Sequence, residues 1–87
     1  MKSTVPESVT PPRPLSSLTP GTRGVVVEIR IPAEHRSRLL EMGVLVGTPI
    51  ELVRFAPLGD PVEIKVRGYH LSLRKHEADL VLLRVNS

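Results

Sequence analysis

Apolar and polar residues alternate along much of the chain, and the period of that alternation marks most of the elements. Residues 62–67 show it most cleanly. Val62, Ile64 and Val66 alternate with Glu63, Lys65 and Arg67, the two-residue period of a strand with one buried face. Residues 48–55 set Ile50 and Leu52 against Glu51 and Val53, and residues 22–31 set Val25, Val27, Ile29 and Ile31 against Glu28 and Arg30. Val26 interrupts the latter pattern, which implies cover on both faces of that strand. Gly68-Tyr69 has glycine at the first central position, as a two-residue type II′ hairpin requires, so the chain is expected to turn there and return through Leu71 and Leu73 over residues 70–73. Residues 75–79 predict a short turn or a single helical turn, and residues 80–85 a last apolar strand.

One segment has the longer period of a helix. Pro32 stops the preceding strand and is tolerated where a helix begins. Residues 33–42 then read as helical, with Glu34 at the positive end of the dipole, Leu39 and Leu40 facing inward, and Gly43 where a left-handed cap belongs. A helix of about ten residues is marginal alone and must pack on the sheet.

Upstream the pattern fades. Pro6, Pro11, Pro12, Pro14 and Pro20 crowd the first 20 of 87 residues, with Ser and Thr between them. Residues 1–14 therefore predict a disordered Pro/Ser/Thr-rich tail, and residues 15–87 a single domain. Pro11-Pro12-Arg13-Pro14 has the P-x-x-P spacing of a polyproline ligand, although such a tail is more simply an extended one. Five short strands and one short helix make a mainly β fold, either a small closed barrel or an open five-stranded sheet under a covering helix. Closure deals with edge strands and is the expected arrangement.

Composition narrows the chemistry. The chain is 40% apolar, yet Phe55 and Tyr69 are its only aromatic residues and it has no cysteine. Disulfides, thiol nucleophiles and cysteine-based metal sites are thereby excluded. The 12 Lys and Arg exceed the 9 Asp and Glu by a formal charge of +3, but the signs are interspersed along the chain. Dispersed charge and missing stacking aromatics argue against nucleic-acid binding. No apolar run spans a bilayer, and residues 1–10 have no apolar core of a secretory signal, so the chain is expected to be soluble and cytoplasmic.

No enzymatic constellation emerges: no serine has a positioned base and no glycine-rich phosphate loop is present. His35, His70 and His76 form no spaced ligand pair, so no metal ligand is assigned. The distinctive stretch is Arg54-Phe55-Ala56-Pro57-Leu58-Gly59-Asp60-Pro61, a strand connection stiffened by two prolines. Leu58 there either folds back as a plug on the barrel mouth or presents a pre-organised apolar contact. Arg36 and Arg38 give the helix a basic outer surface that is either solvated or a contact for an acidic partner.

Leu39-Leu40-Glu41-Met42-Gly43, then Gly47-Thr48, then Ala56-Pro57-Leu58-Gly59-Asp60-Pro61, then Val66-Arg67-Gly68-Tyr69-His70-Leu71-Ser72-Leu73-Arg74 with Glu77-Ala78 resemble the FeoA family in order and spacing. The resemblance runs over about residues 15–85. It implies a five-stranded SH3-like barrel with one short helix, and a non-enzymatic, cytoplasmic accessory protein of bacterial ferrous iron uptake without a cofactor. The implied partner is the membrane permease FeoB, whose cytoplasmic part binds GTP. The same kind of domain occurs fused to metal-dependent transcriptional regulators; no helix-turn-helix portion is present here, which favours the transport form. By position, Gly43 and Gly47 carry over as turn residues, and Pro57, Leu58, Gly59, Asp60 and Pro61 as the family loop, while Val46 stands where many members place proline. The expected contacts are Leu58, Arg36, Arg38 and the Arg67/Tyr69 hairpin. Direct binding of ferrous iron through His35, His70 or His76 is the alternative. Polyproline recognition, which an SH3-like barrel suggests, needs an aromatic groove that two aromatics cannot build.

Overall fold

Antiparallel pairing organises the chain from Arg13 onward. The computed structural model describes residues 11–85, so expectations for residues 1–10, the greater part of the tail, lie outside the described residues. The elements are β1 (Arg13–Pro14), a 3₁₀ turn (Leu15–Ser17), β2 (Arg23–Ile29), α1 (Ala33–Glu41), β3 (Pro49–Phe55), β4 (Val62–Val66), β5 (Tyr69–Leu73), α2 (Lys75–Ala78) and β6 (Val81–Val85). They form one sheet in the order β1-β6-β2-β3-β4-β5. The sheet curls into a barrel-like shape without closing. It has six strands where five were expected, because Arg13 and Pro14, placed in the tail by composition, pair with Leu83 and Leu82. That pairing also ties down the last proline of the P-x-x-P stretch. Pro14 is half-buried at the sheet edge, where its missing N–H does no harm.

The alternation in β4 is borne out in full: Val62, Ile64 and Val66 are all buried, as are Ile50 and Leu52 on β3. In β2 the buried set is Gly24, Val26 and Ile29, while Val25 and Val27 are only half-buried. The expected assignment of faces was one residue out at the start of this strand. A β-bulge at Val27 explains it, since Val26 pairs with Leu83 but Glu28 pairs with Leu82. A second bulge at Val53 shifts β3 against β4 between Leu52 and Arg54. Beside the β2 bulge, β2 and β6 run very close at Gly24. A Cβ on Gly24 would lie 2.9 Å from the Arg84 carbonyl oxygen and 3.1 Å from Leu83 Cβ. Gly24→Ala should therefore lower stability by about 1–3 kcal/mol through overpacking. Urea denaturation measures it, and a parent-like midpoint would mean that β6 yields at no cost.

The β4–β5 hairpin also sits one residue from its expected place. Val66 pairs with Tyr69, so the two loop residues are Arg67 and Gly68. Both have positive φ, 53° and 89°. That is the signature of a type I′ turn, whose backbone twist matches that of the flanking strands. Glycine thus serves as the second central residue rather than the first, and Arg67 is held left-handed at the tip.

The core is aliphatic. Leu15, Leu39, Val44, Leu52, Ile64, Leu73, Val81 and Leu83 are among its fully buried members. α1 covers the sheet through Leu39. Its neighbour Leu40, expected inside, is 43% exposed, because the short helix turns a narrow face inward.

Candidate functional site

The C-terminal half of α1, the end of β5 and α2 meet around one carboxylate. α1 ends in a Schellman cap. Gly43, at φ +93°, lets its own N–H reach the Leu40 carbonyl at 3.0 Å and the Val44 N–H reach that of Leu39 at 2.9 Å. Val44 and Leu39, one on each side of the cap, are both fully buried. The cap thus fixes the direction in which Arg38 leaves the helix. Arg38 Nη2 donates to both carboxylate oxygens of Glu77, at 2.6 Å each. Glu77 is 8% exposed and also accepts the Arg74 N–H at 2.9 Å, closing the first turn of α2. Burial by itself raises the carboxyl pKa, but the Arg38 and Arg74 hydrogen bonds and the charges of Arg38 and His76 outweigh it. Glu77 is held below the ordinary glutamate value. In the sequence Glu77 stands out only as part of the Glu77-Ala78 segment of the family resemblance. Nothing local points to a partner 39 residues away.

The hairpin closes over the other side of the helix end. Tyr69 O–H donates to the Met42 carbonyl at 3.3 Å. A Cβ placed on Gly43 would lie 3.7 Å from Tyr69 Oη and 4.0 Å from Arg67 Cδ. Arg67, Tyr69 and Arg38 therefore share one strip along the α1 end, with Met42 between them. Arg36 is engaged elsewhere: its Nε and Nη2 donate to the Ile31 carbonyl at 3.1 and 2.8 Å, bracing the chain that enters the helix.

The loop of residues 56–61 closes on itself. The Ala56 N–H donates to the Pro61 carbonyl at 3.0 Å, and the Gly59 N–H to that of Ala56 at 2.7 Å. Asp60 Oδ1 accepts the Lys75 N–H at 3.1 Å, which fastens the loop to α2. Pro57 and Pro61 flank the tip, and Gly59, like Gly47 before β3, has positive φ. Leu58 is 94% exposed. It is no plug on the barrel mouth.

Exposed apolar residues also gather where α1 passes to β3, a feature missed in the sequence. Leu40, Leu45 and Val46 are exposed there, Val46 at 64%.

The three histidines do not converge. His70 lies on β5, whereas His35 and His76 border one cleft with Ile31, Pro32, Glu77 and Leu80. Glu77 is already taken by Arg38. Among the described residues, no group of three or more His, Asp or Glu is arranged to hold a metal ion. No helix among them is long and apolar enough to cross a membrane.

The family model of the FeoA domain matches residues 13–85. A curated relative, the Fe(2+) transport protein A/Fe(2+) transporter FeoB fusion protein of Porphyromonas gingivalis, is 41% identical over 64 residues, 74% of this chain. The chain spans only 8% of that relative's length. Among solved structures, the FeoA-like protein of Clostridium acetobutylicum superposes with a TM-score of 0.78 at 35% identity, covering 88% of this chain and 90% of that one. FeoA of Stenotrophomonas maltophilia complexed with zinc, described as a prokaryotic SH3 domain protein, superposes with a TM-score of 0.68 at 30% identity over 80% of this chain and 87% of that one. The fold is accordingly SH3-like.

Proposed function

This chain belongs to the FeoA family, and from that membership we propose that it is a non-enzymatic cytoplasmic accessory protein of ferrous iron uptake that docks on the cytoplasmic GTP-binding part of a FeoB-type permease. The FeoA domain is associated with ferrous iron transport, and its family is one of small accessory domains rather than a known enzyme family. The observation that carries the proposal is the Porphyromonas gingivalis relative, in which the corresponding domain and the transporter are one polypeptide. Covalent linkage holds two modules at an effective concentration in the millimolar range. Such proximity lets even a small complementary surface on the domain act as a docking contact.

Leu58 supplies the centre of that surface in this reading. It is an apolar side chain held out by a loop whose backbone is already ordered, so docking there costs little conformational entropy. In this reading Arg38 and the Arg67/Tyr69 hairpin supply further polar contacts, the hairpin from the opposite end of β4. Arg36, expected as a further contact, stays with Ile31 and contributes by holding α1 in place. Leu58→Asp should leave the fold unchanged within about 0.5 kcal/mol, as for other exposed positions, and should abolish co-purification with the permease. If the variant co-purifies as well as the parent, the loop is not the contact.

A second reading, direct binding of ferrous iron, has one observation in its favour: His35 and His76 border the same cleft. Two imidazoles with no free carboxylate are fewer ligands than specific transition-metal sites use. Anaerobic calorimetry with ferrous iron separates the readings. Heat that disappears in His35→Ala and His76→Ala supports this one, and its absence in the parent at tens of micromolar protein removes it.

A further inference from the structure

We propose that the outer edge of β5 is a strand-addition site for an extended, acidic segment of a partner protein. β5 ends the sheet and is hydrogen-bonded to β4; no strand among the described residues covers its other edge. The register fixes which groups that edge presents. In a hairpin with a two-residue loop, the closing pair exchanges hydrogen bonds and every second pair does so thereafter. Val66 and Tyr69 are the closing pair, so Tyr69, Leu71 and Leu73 turn their backbone groups toward β4. His70 and Ser72 turn theirs away. Both residues are exposed, and no hydrogen bond outside the β-ladder uses their N–H or C=O among the described residues. Free edges are commonly blunted by lysine, proline or an inward-pointing charge. Tyr69-His70-Leu71-Ser72-Leu73 has none of these.

Charge selects the occupant. Arg67 stands before the strand and Arg74 after it, and Lys65 lies opposite His70 on β4. A groove of about 530 Å³ beside Ser72 and Leu73 is walled by Arg38, Arg74 and His76. The acidic residues nearby are Glu77, neutralised by Arg38, Glu63, which faces Ser72 from β4, and Asp60, whose carboxylate accepts the Lys75 N–H beside Arg74; Arg67, Arg74 and Lys65 outnumber the last two. The edge is therefore net basic. A segment laid along it in extended form would pair its backbone with His70 and Ser72. Its alternate side chains on the face shared by His70 and Ser72, if carboxylates, would meet Arg74 at one end and Lys65 of the neighbouring β4 toward the other. A second copy of this chain is disfavoured by the same charges. Two β5 edges paired antiparallel about a two-fold axis, with His70 of each opposite Ser72 of the other, would set Arg67 of each against Lys75 of the other, beside Arg74. The inference holds whichever protein supplies the segment and does not rest on the transporter being the partner.

Labelled, end-blocked peptides of alternating Glu and Val test it against the intact chain, with a Lys–Val counterpart and an acidic peptide N-methylated at alternate residues as controls. Fluorescence anisotropy should show salt-sensitive binding of the acidic peptide, with the Lys–Val and N-methylated forms at least tenfold weaker. Amide chemical-shift changes should centre on His70, Ser72 and Arg74. Arg74→Glu should weaken binding about tenfold, and Ser72→Pro, which removes an outward N–H rather than a ladder bond, should abolish it. The N-methylated peptide needs no change in the protein, so the test stands even if Ser72→Pro fails to fold. Absence of binding by the acidic peptide overturns the proposal. So does binding indifferent to N-methylation, which is plain charge attraction, or dimerisation of the free chain through β5.

Discussion

Leu52→Ala should leave this protein barely folded. Leu52 is fully buried on β3, a strand paired on both sides, with β2 and with β4. Removing a buried leucine to Cβ costs about 2–5 kcal/mol, from the lost transfer energy and the cavity left behind. Domains of ordinary size are stable by about 5–15 kcal/mol in all, and small ones lie toward the lower end. No disulfide is present to restrict the unfolded chain. The backbone bonds of residue 52, from its N–H to the Thr22 carbonyl and from the Gly21 N–H to its own carbonyl, survive the substitution. The loss is therefore one of packing. Urea denaturation should show a much lower midpoint with an unchanged slope. A loss under about 1 kcal/mol would show that the aliphatic core repacks around the gap.

Glu77→Ala should release two groups at once. Arg38 loses a carboxylate that accepts from it through both oxygens, and the Arg74 N–H loses its acceptor. Breaking a fully buried pair costs about 3–5 kcal/mol. The side chain of Arg38 is half in solvent, so about 1–2 kcal/mol is the expected loss here. The pH dependence follows from the direction of the shift. The folded-state pKa of Glu77 lies below its unfolded value, so the folded state holds the ionised form more strongly. That contribution is complete above the ordinary glutamate pKa of about 4.3 and is lost as pH falls through the depressed value. Parent and Glu77→Ala should accordingly differ clearly at neutral pH and converge as the pH falls through the depressed value. A difference independent of pH would assign the effect to packing of α2 instead.

Much of this structure was legible from side-chain periodicity, and the misses have identifiable physical causes. β4 announces itself because one face is entirely aliphatic and the other entirely charged. The α1 cap is readable because Gly43 follows an apolar pair that it helps to bury. β1 is not readable: two residues, one of them proline, become a strand through the β6 backbone they meet. The hairpin was displaced by one residue because Gly68 suits either of two turn types, and the choice depends on the register of Val66 with Tyr69. Leu40 looked like core because a nine-residue helix was credited with a broad apolar face. At the candidate site, the sequence identified Leu58 as unusual but left its direction open. Arg36 and Arg38 looked equivalent as basic helix residues, yet one is bound to a carbonyl five residues back and the other to a carboxylate on α2. Such pairings depend on tertiary placement, which periodicity does not carry.

The two bulges have a consequence for how this shape can be gained or lost. Deleting Val27 would leave Val26, Glu28 and Ile29 in clean alternation, still inward, outward and inward. Deleting Val53 would do the same for Leu52, Arg54 and Phe55. Neither deletion exposes core, and each yields a strand that looks better by pattern. What disappears is the local bend, because a bulge adds twist and curvature where a regular ladder runs straight. Curvature in this sheet is thus written as two single-residue insertions, one in each of two neighbouring strands, and is nearly independent of hydrophobic content. A one-codon change could straighten the sheet while preserving its apparent quality as a folding sequence.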